Sequence, residues 1–229
     1  MGIRAGAYLQ VASVMTSALE QVAGAVPVRG LGYVRVGVGG TDGSGKTWFA
    51  DELAEHLHGF GRNVVRASID DFHHMRAVRY QRGRKSAEGF YRDSFDLDQF
   101  SALVLDPFGP DGDGRYSPRG HDLATDQVLE PEWQVAPPGT VLVVDGVFLH
   151  RDGLSEAWDL SVWLDVPFDV TCARMAKRDG THPDPAHPSV ARYVEGQRLY
   201  LAECHPASRA TLVVDNSDLD RPVMRQRRA

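Results

Sequence analysis

The chain is poor in cysteine, in lysine and in long apolar runs, and each shortage excludes something. Its two cysteines, Cys172 and Cys204, lie 32 positions apart in helix-like segments, which is neither a disulfide framework nor a metal-ligand spacing and fits a reducing cytoplasm. No run approaches the roughly 18 apolar residues of a membrane span. Leu9 to Val26 is broken by Gln10, Ser13, Thr16, Ser17, Glu20 and Gln21, so it reads as neither an anchor nor a signal peptide. Basic residues are outnumbered by acidic ones, 25 to 31: the net charge of -6 gives no reason to expect nucleic acid as a partner, and the one basic cluster, Arg221 to Arg228, reads as a flexible tail over 220–229.

What the chain does hold is Gly40-Thr41-Asp42-Gly43-Ser44-Gly45-Lys46-Thr47, which satisfies the phosphate-loop pattern G-x-x-x-x-G-K-[ST] at every specified position. With only three lysines (Lys46, Lys85, Lys177) beside 22 arginines, a lysine at the motif position is informative. Tyr33 to Gly39 alternates as a strand ahead of the loop, and Phe49, Leu53 and Leu57 recur at helical spacing behind it. Glycines let successive backbone N–H groups converge on a polyphosphate, and a helix starting near Gly45 adds its positive dipole end. Lys46 is expected on the β- and γ-phosphates and the Thr47 hydroxyl on Mg²⁺; the plain alternative is a glycine-rich turn before an ordinary helix.

The rest of the 229 residues fits one α/β domain. Leu9, Val11, Val14, Ala18, Leu19 and Val22 recur at helical steps, predicting an N-terminal helical extension within 1–28 whose apolar face docks on the domain. Asn63 to Ile69 reads as a second strand ending in Asp70-Asp71-Phe72-His73-His74, where an aspartate is placed to deprotonate an acceptor hydroxyl or merely to cap the next turn. Met75 to Ser94 is arginine-rich and reads as a solvated loop or an anion clamp, and Asp98 as the cap of a helix over 99–105. Val128 to Val135 reads as a short β-excursion. Thr140 to Gly146 has the form of a buried parallel strand that ends in Asp145, a metal-holding acid once a phosphate loop is present. Asp159 to Pro167 and Ala210 to Asn216 are further strands, with helices over 168–178 and 190–204. Arg174, Lys177 and Arg178 share a helix face and either meet phosphates or form a solvated helix end. His182 and His187, among Pro183, Pro185 and Pro188, belong to a rigid loop rather than a metal cluster.

In this order the motifs resemble the uridine kinase family of P-loop kinases and, more loosely, phosphoribulokinase and bacterial pantothenate kinase. The resemblance runs through G-T-D-G-S-G-K-T at 40–47, S-I-D-D-F-H at 68–73, F-D-L-D-Q-F at 95–100, V-V-D-G-V at 143–147 and R-M-A-K-R-D at 174–179. It implies a P-loop NTPase three-layer sandwich with a mostly parallel central sheet, a helical lid at about 174–196 and an extra N-terminal helix. It further implies Asp70 as the base, Lys46, Arg174 and Arg178 as groups on the transferred phosphate, and Gly40, Asp42, Gly43, Ser44, Gly45, Lys46 and Thr47 around the nucleotide. Phe72, His73, Phe95, Asp96, Tyr116 and His121 would surround the acceptor, and Thr47 and Asp145 the metal. His73 replaces a usual tyrosine, Asp145 a more usual glutamate, and Leu97-Asp98 a frequent His-Pro, and these departures surround the acceptor.

The sequence expectation is therefore a cytoplasmic kinase using ATP and Mg²⁺ that phosphorylates a small-molecule hydroxyl, first the 5′-hydroxyl of uridine or cytidine. A sugar, a vitamin precursor or a specialised metabolite is the alternative acceptor. A non-catalytic nucleotide switch is the second alternative, disfavoured for GTP because no N-K-x-D or T-K-x-D sequence occurs. No membrane partner is expected, and a homo-oligomer stays open.

Overall fold

The structure, a computed structural model, describes residues 18–225. Helix α1 (18–25) leads into β1 (Val34–Gly40), α2 (Lys46–Gly59) and β2 (Val64–Ser68), followed by a 3₁₀ turn (Ile69–Phe72) and the short helices α3 (Arg76–Arg79) and α4 (Ala87–Asp93). Helix α5 (Leu97–Phe100) widens into a π turn (Ser101–Leu105) and closes in a 3₁₀ turn (Asp106–Phe108). Four two-residue strands follow: β3 (Arg115–Tyr116), β4 (His121–Asp122), β5 (Gln127–Val128) and β6 (Gln134–Val135). Then come β7 (Val141–Gly146), β8 (Leu160–Asp165), α6 (Phe168–Asp179), α7 (Ala191–Cys204), α8 (Pro206–Arg209), β9 (Leu212–Asp215) and β10 (Val223–Arg225).

The main sheet has the order β10-β9-β8-β1-β7-β2, and every pairing in it is parallel except β10 on β9. Alternation builds the layers. Val34, Val36 and Val38 of β1 and Val141 and Val143 of β7 face α1 and α2, where Leu19, Val22, Phe49, Leu53 and Leu57 cover them. Leu142 and Val144 face the other way, into a core with Phe72, Phe100, Phe108, Phe148 and Tyr200. Each such side chain, fully buried, stabilises the fold by about 1.5–3 kcal/mol relative to exposure. The result is a three-layer α/β sandwich with a mostly parallel sheet. The phosphate-loop segment leaves the carboxyl end of central β1, with β7 on one side and β8 on the other, where an open α/β sheet offers a ligand crevice.

Several expectations are corrected. The expected N-terminal helix starts outside the described residues; its described part, 18–25, does dock through Leu19, Val22 and Ala23. Met75 to Ser94 is not a loop: Ser86 Oγ accepts the Gly89 N–H at 2.9 Å to start α4, and Phe90 and Tyr91 are buried beneath α7. Its arginines are committed to partners, Arg79 to Asp126 at 3.2 Å and Arg82 to Asp93 at 2.8 Å. The cap of α5 is Asp96, accepting the Gln99 N–H at 2.9 Å, rather than Asp98. The β-excursion is two separate ladders, β3 with β6 and β4 with β5. Within the expected tail, Val223–Arg225 pairs with β9, and Arg225 joins Asp165 and Asp215. Residues 226–229 lie outside the described residues.

Candidate active site

Positive φ angles at Gly43 (78°) and Gly45 (91°) bend the loop around a hollow before α2 begins at Lys46. A side chain at either would be strained. Three outside residues brace the loop. Asn216 Nδ2 donates to the Ser44 carbonyl at 2.7 Å, Gln197 Oε1 accepts the Asp42 N–H at 2.6 Å, and Arg174 donates to the Gly43 carbonyl at 3.3 Å. Lys46 Nζ donates to the Thr41 carbonyl at 3.0 Å and lies 4.0 Å from Asp42 Oδ1. The hydroxyls of Thr41 and Ser44 are buried and have no hydrogen-bond partner among the described residues, which fits a cradle for acceptor oxygens.

At the neighbouring strand end the Thr47 hydroxyl donates to Asp145 Oδ2 at 2.8 Å, while Arg66 Nη2 holds Asp145 Oδ1 at 2.9 Å. A hydroxyl and a carboxylate oxygen side by side are the hard oxygen donors that Mg²⁺ takes alongside phosphate oxygens, so this pair fits the metal. Among the described residues no group of three or more His, Cys, Asp or Glu forms a metal cluster. Arg66 is a residue that the sequence reading missed. Its signal is an arginine inside an otherwise apolar strand, which needs an anion.

Asp70 and Asp71 sit in the 3₁₀ turn and not, as expected, at the end of an extended segment. They still diverge. Asp71 turns to Arg119 at 3.2 Å, and burial raises its carboxyl from the ordinary value against the pull of that guanidinium. Asp70 meets solvent yet stands in a crevice crowded by protein atoms; that desolvation, opposed by Lys46 and reinforced by Asp42, Asp145 and Asp71, pushes its carboxyl up to about 6. A carboxylate poised near neutrality beside a phosphate-loop lysine can take a proton from a hydroxyl.

On the far side of this turn His73 donates its Nδ1–H to the Asp70 carbonyl (2.7 Å) and packs on Phe95, ring centroids 4.5 Å apart. Burial drives its imidazole down to about 4, so it is neutral. Asp96 spends one oxygen on its cap and places the other 3.6 Å from His74 Nδ1. His121 is buried, 3.5 Å from Asp126, and its pKa is lowered by burial and then by the Arg79 charge. His73, Phe95, Asp96 and His121 are thus gathered around the turn: Gly120 donates to the Asp71 carbonyl and Asp96 to the Phe72 carbonyl. Two expected acceptor residues are elsewhere. Phe72 is fully buried against Phe100 and anchors the turn from within the core, and Tyr116 packs on Phe108 and gives its hydroxyl to Gln134 at 2.8 Å.

Gly43, Gly45, Lys46, Thr47, Arg174 and Arg178 border a cleft of about 690 Å³, of ligand-site size. The two lid arginines differ. Arg174, expected on the transferred phosphate or in a solvated helix end, donates to the carbonyls of Gly43, Asn216 (2.8 Å) and Ser217 (2.9 Å), strapping α6 to the loop. Arg178 is exposed, forks onto Asp179, and feels the charges of Asp42 and Asp70. The brace Gln197 was also missed; its signal is a lone amide continuing the apolar face of Val190 and Val194.

No family model matches the chain. A uridine kinase from Leuconostoc citreum (strain KM20) is 26% identical over 153 residues, 66% of this chain and 70% of the relative. A cytidylate kinase from Methanopyrus kandleri is 30% identical over 153 residues, 67% of this chain and 66% of the relative, so the chain spans about two thirds of each relative's length. A structure described as a possible uridine kinase from Bacillus stearothermophilus superposes with a TM-score of 0.69 at 21% identity, covering 89% of this chain and 98% of that one, and speaks for the fold. Sheet order, loop and relatives agree: the chain is similar to the uridine kinase-like P-loop kinases and shares their fold.

Proposed function

We propose that this P-loop kinase transfers the γ-phosphate of ATP, with Mg²⁺, to the 5′-hydroxyl of a pyrimidine nucleoside such as uridine or cytidine. The observation that carries the reading is the Asp70 carboxylate, raised to about 6 and facing Lys46, in the turn where His73 bridges to Phe95 next to Asp96. In the transfer the acceptor oxygen bonds to the γ-phosphorus, the bond from that phosphorus to the bridging oxygen breaks, ADP leaves, and the acceptor proton passes to Asp70. Lys46 and Arg178 bear on the phosphate charge, while Arg174 positions the loop. Mg²⁺, held by Thr47 and Asp145, would neutralise charge on the phosphate oxygens.

Asp96 offers an acceptor oxygen for sugar hydroxyls, with the buried Phe95 ring behind it; the uridine and cytidylate kinases among the relatives support a pyrimidine. A panel of uridine, cytidine, purine nucleosides, free sugars and pantothenate, scored by ADP release, tests the reading. Turnover with pyrimidine nucleosides well above the others is expected. Turnover with a sugar or pantothenate alone would replace the acceptor and leave the chemistry standing.

A further inference from the structure

Helix α6 turns two adjacent faces to two cavities. Arg174, Lys177 and Arg178 face the nucleotide cleft. Phe168, Thr171, Cys172 and Met175, at steps of three and four, face a second cavity of about 580 Å³, closed opposite by Val190, Val194 and Gln197 at α7. Its walls are apolar and its floor is polar. Asp42 supplies the floor together with Gln197, whose Nε2 donates to Asp42 Oδ2 at 3.3 Å and to the Tyr193 carbonyl at 3.0 Å. Asp42 Oδ1 is 4.0 Å from Lys46 Nζ, and its charge is felt both by Asp70 and by Cys172. Asp42 is therefore the wall that the cavity shares with the point of transfer.

We propose that this cavity is a subsite for an apolar, ring-sized part of the acceptor, whose hydroxyl end crosses Asp42 to reach Asp70. The inference rests on the kinase reading above and narrows its acceptor class. Three observations support it. The volume is that of a small-molecule site. The Gln197 amide is already committed on both of its atoms, so it has little left with which to read a base edge. Phe168, Cys172, Met175, Val190 and Val194 would leave the polar groups of an unmodified pyrimidine unpaired, whereas an apolar ring gains by leaving water. Selection here is by shape and apolar burial.

Two measurements test this on the whole chain. In the first, calorimetry follows indole binding to the wild-type protein and to Val194→Trp, which projects a ring into the cavity, while N-ethylmaleimide labelling of Cys172 is read by mass spectrometry with Cys204 as internal control. Binding that protects Cys172 and is lost in Val194→Trp is expected; absent binding, or binding indifferent to the variant, overturns the cavity as a ligand site. Val190→Phe replaces Val194→Trp if the latter lacks the wild-type melting temperature. In the second, cytidine and N4-benzylcytidine are compared in the presence of a non-hydrolysable ATP analogue. The benzyl compound is expected to bind roughly tenfold tighter or better, with the ratio falling to one in the variant. Equal or weaker binding of the benzyl compound overturns the acceptor assignment while leaving the nucleoside reading intact. If neither nucleoside binds but indole does, the nucleoside reading falls and the cavity remains a site for apolar ligands.

Discussion

The Thr47 hydroxyl and the Asp145 carboxylate, 98 residues apart in sequence, meet at 2.8 Å across the ends of α2 and β7. Arg66 on β2 fixes the other Asp145 oxygen. Asp145→Asn keeps the shape but removes the charge that a divalent cation needs, so the Mg²⁺ concentration for half-maximal activity is expected to rise by about tenfold or more, with acceptor KM little changed. Mg²⁺ titrations at saturating ATP check this. An unchanged metal requirement with a raised acceptor KM would reassign Asp145 to the acceptor.

Among the described residues Lys46 makes one hydrogen bond, to the Thr41 carbonyl, and one long ion pair, at 4.0 Å from Asp42. Lys46→Ala should therefore leave the melting temperature within a few degrees of wild type while lowering kcat by about 10²–10³-fold, the scale of one lost electrostatic stabiliser. Near wild-type turnover in a folded variant would remove the phosphate-loop account.

Because Asp70 must be ionised to accept a proton and its carboxyl stands at about 6, kcat/KM should fall roughly tenfold per unit as pH drops below 6. An ordinary surface carboxylate would hold activity down to about 4. A pH profile with an acidic limb near 6 in the wild type, absent from the residual activity of Asp70→Asn, is the expected result.

His150 is 1% exposed, neither ring nitrogen has a hydrogen-bond partner among the described residues, and burial drives its pKa from 6.5 down to about 4. Above pH 6.5 it is neutral in both folded and unfolded chains. As pH falls from 6.5 to 4 only the unfolded chain gains the proton, so stability drops by about 3 kcal/mol over that window and levels off below it. Urea unfolding at pH 7.5 and pH 4.5 should show this loss in the wild type and a smaller one in His150→Phe, with His73 contributing in the same direction.

The loop at 40–47 and the strands were legible because each rests on a local signal: a fixed spacing of glycine, lysine and threonine, or a buried apolar run such as Val141 to Val144. The place of Asp70 just past a strand was legible from the apolar run before it, while its choice over Asp71 came from the spacing to Phe72 in the resemblance. What stayed hidden depends on partners far along the chain. Helix α4 looks like a polar loop until Glu203 pairs with Arg92 and α7 covers its aromatic face. Tyr116 looks like a ligand contact until Phe108 and Gln134 are placed against it. Arg174 looks free until the carbonyls of Asn216 and Ser217 return to it. Asp70 and Asp71 diverge as alternation would have them do, but through a 3₁₀ turn and the pull of Arg119.

The central claim, that Asp70 is the base of the transfer, is tested most directly by kcat for phosphate transfer from γ-labelled ATP to cytidine or uridine in wild type, Asp70→Asn and Asp71→Asn, each shown to be folded and to bind ATP. The account predicts a fall of about 10²–10⁴-fold for Asp70→Asn with ATP affinity nearly unchanged. For Asp71→Asn, which loses the ion pair to Arg119 outside the crevice, it predicts a fall of less than about tenfold. A larger loss in Asp71→Asn than in Asp70→Asn, or near wild-type turnover in Asp70→Asn, would contradict it.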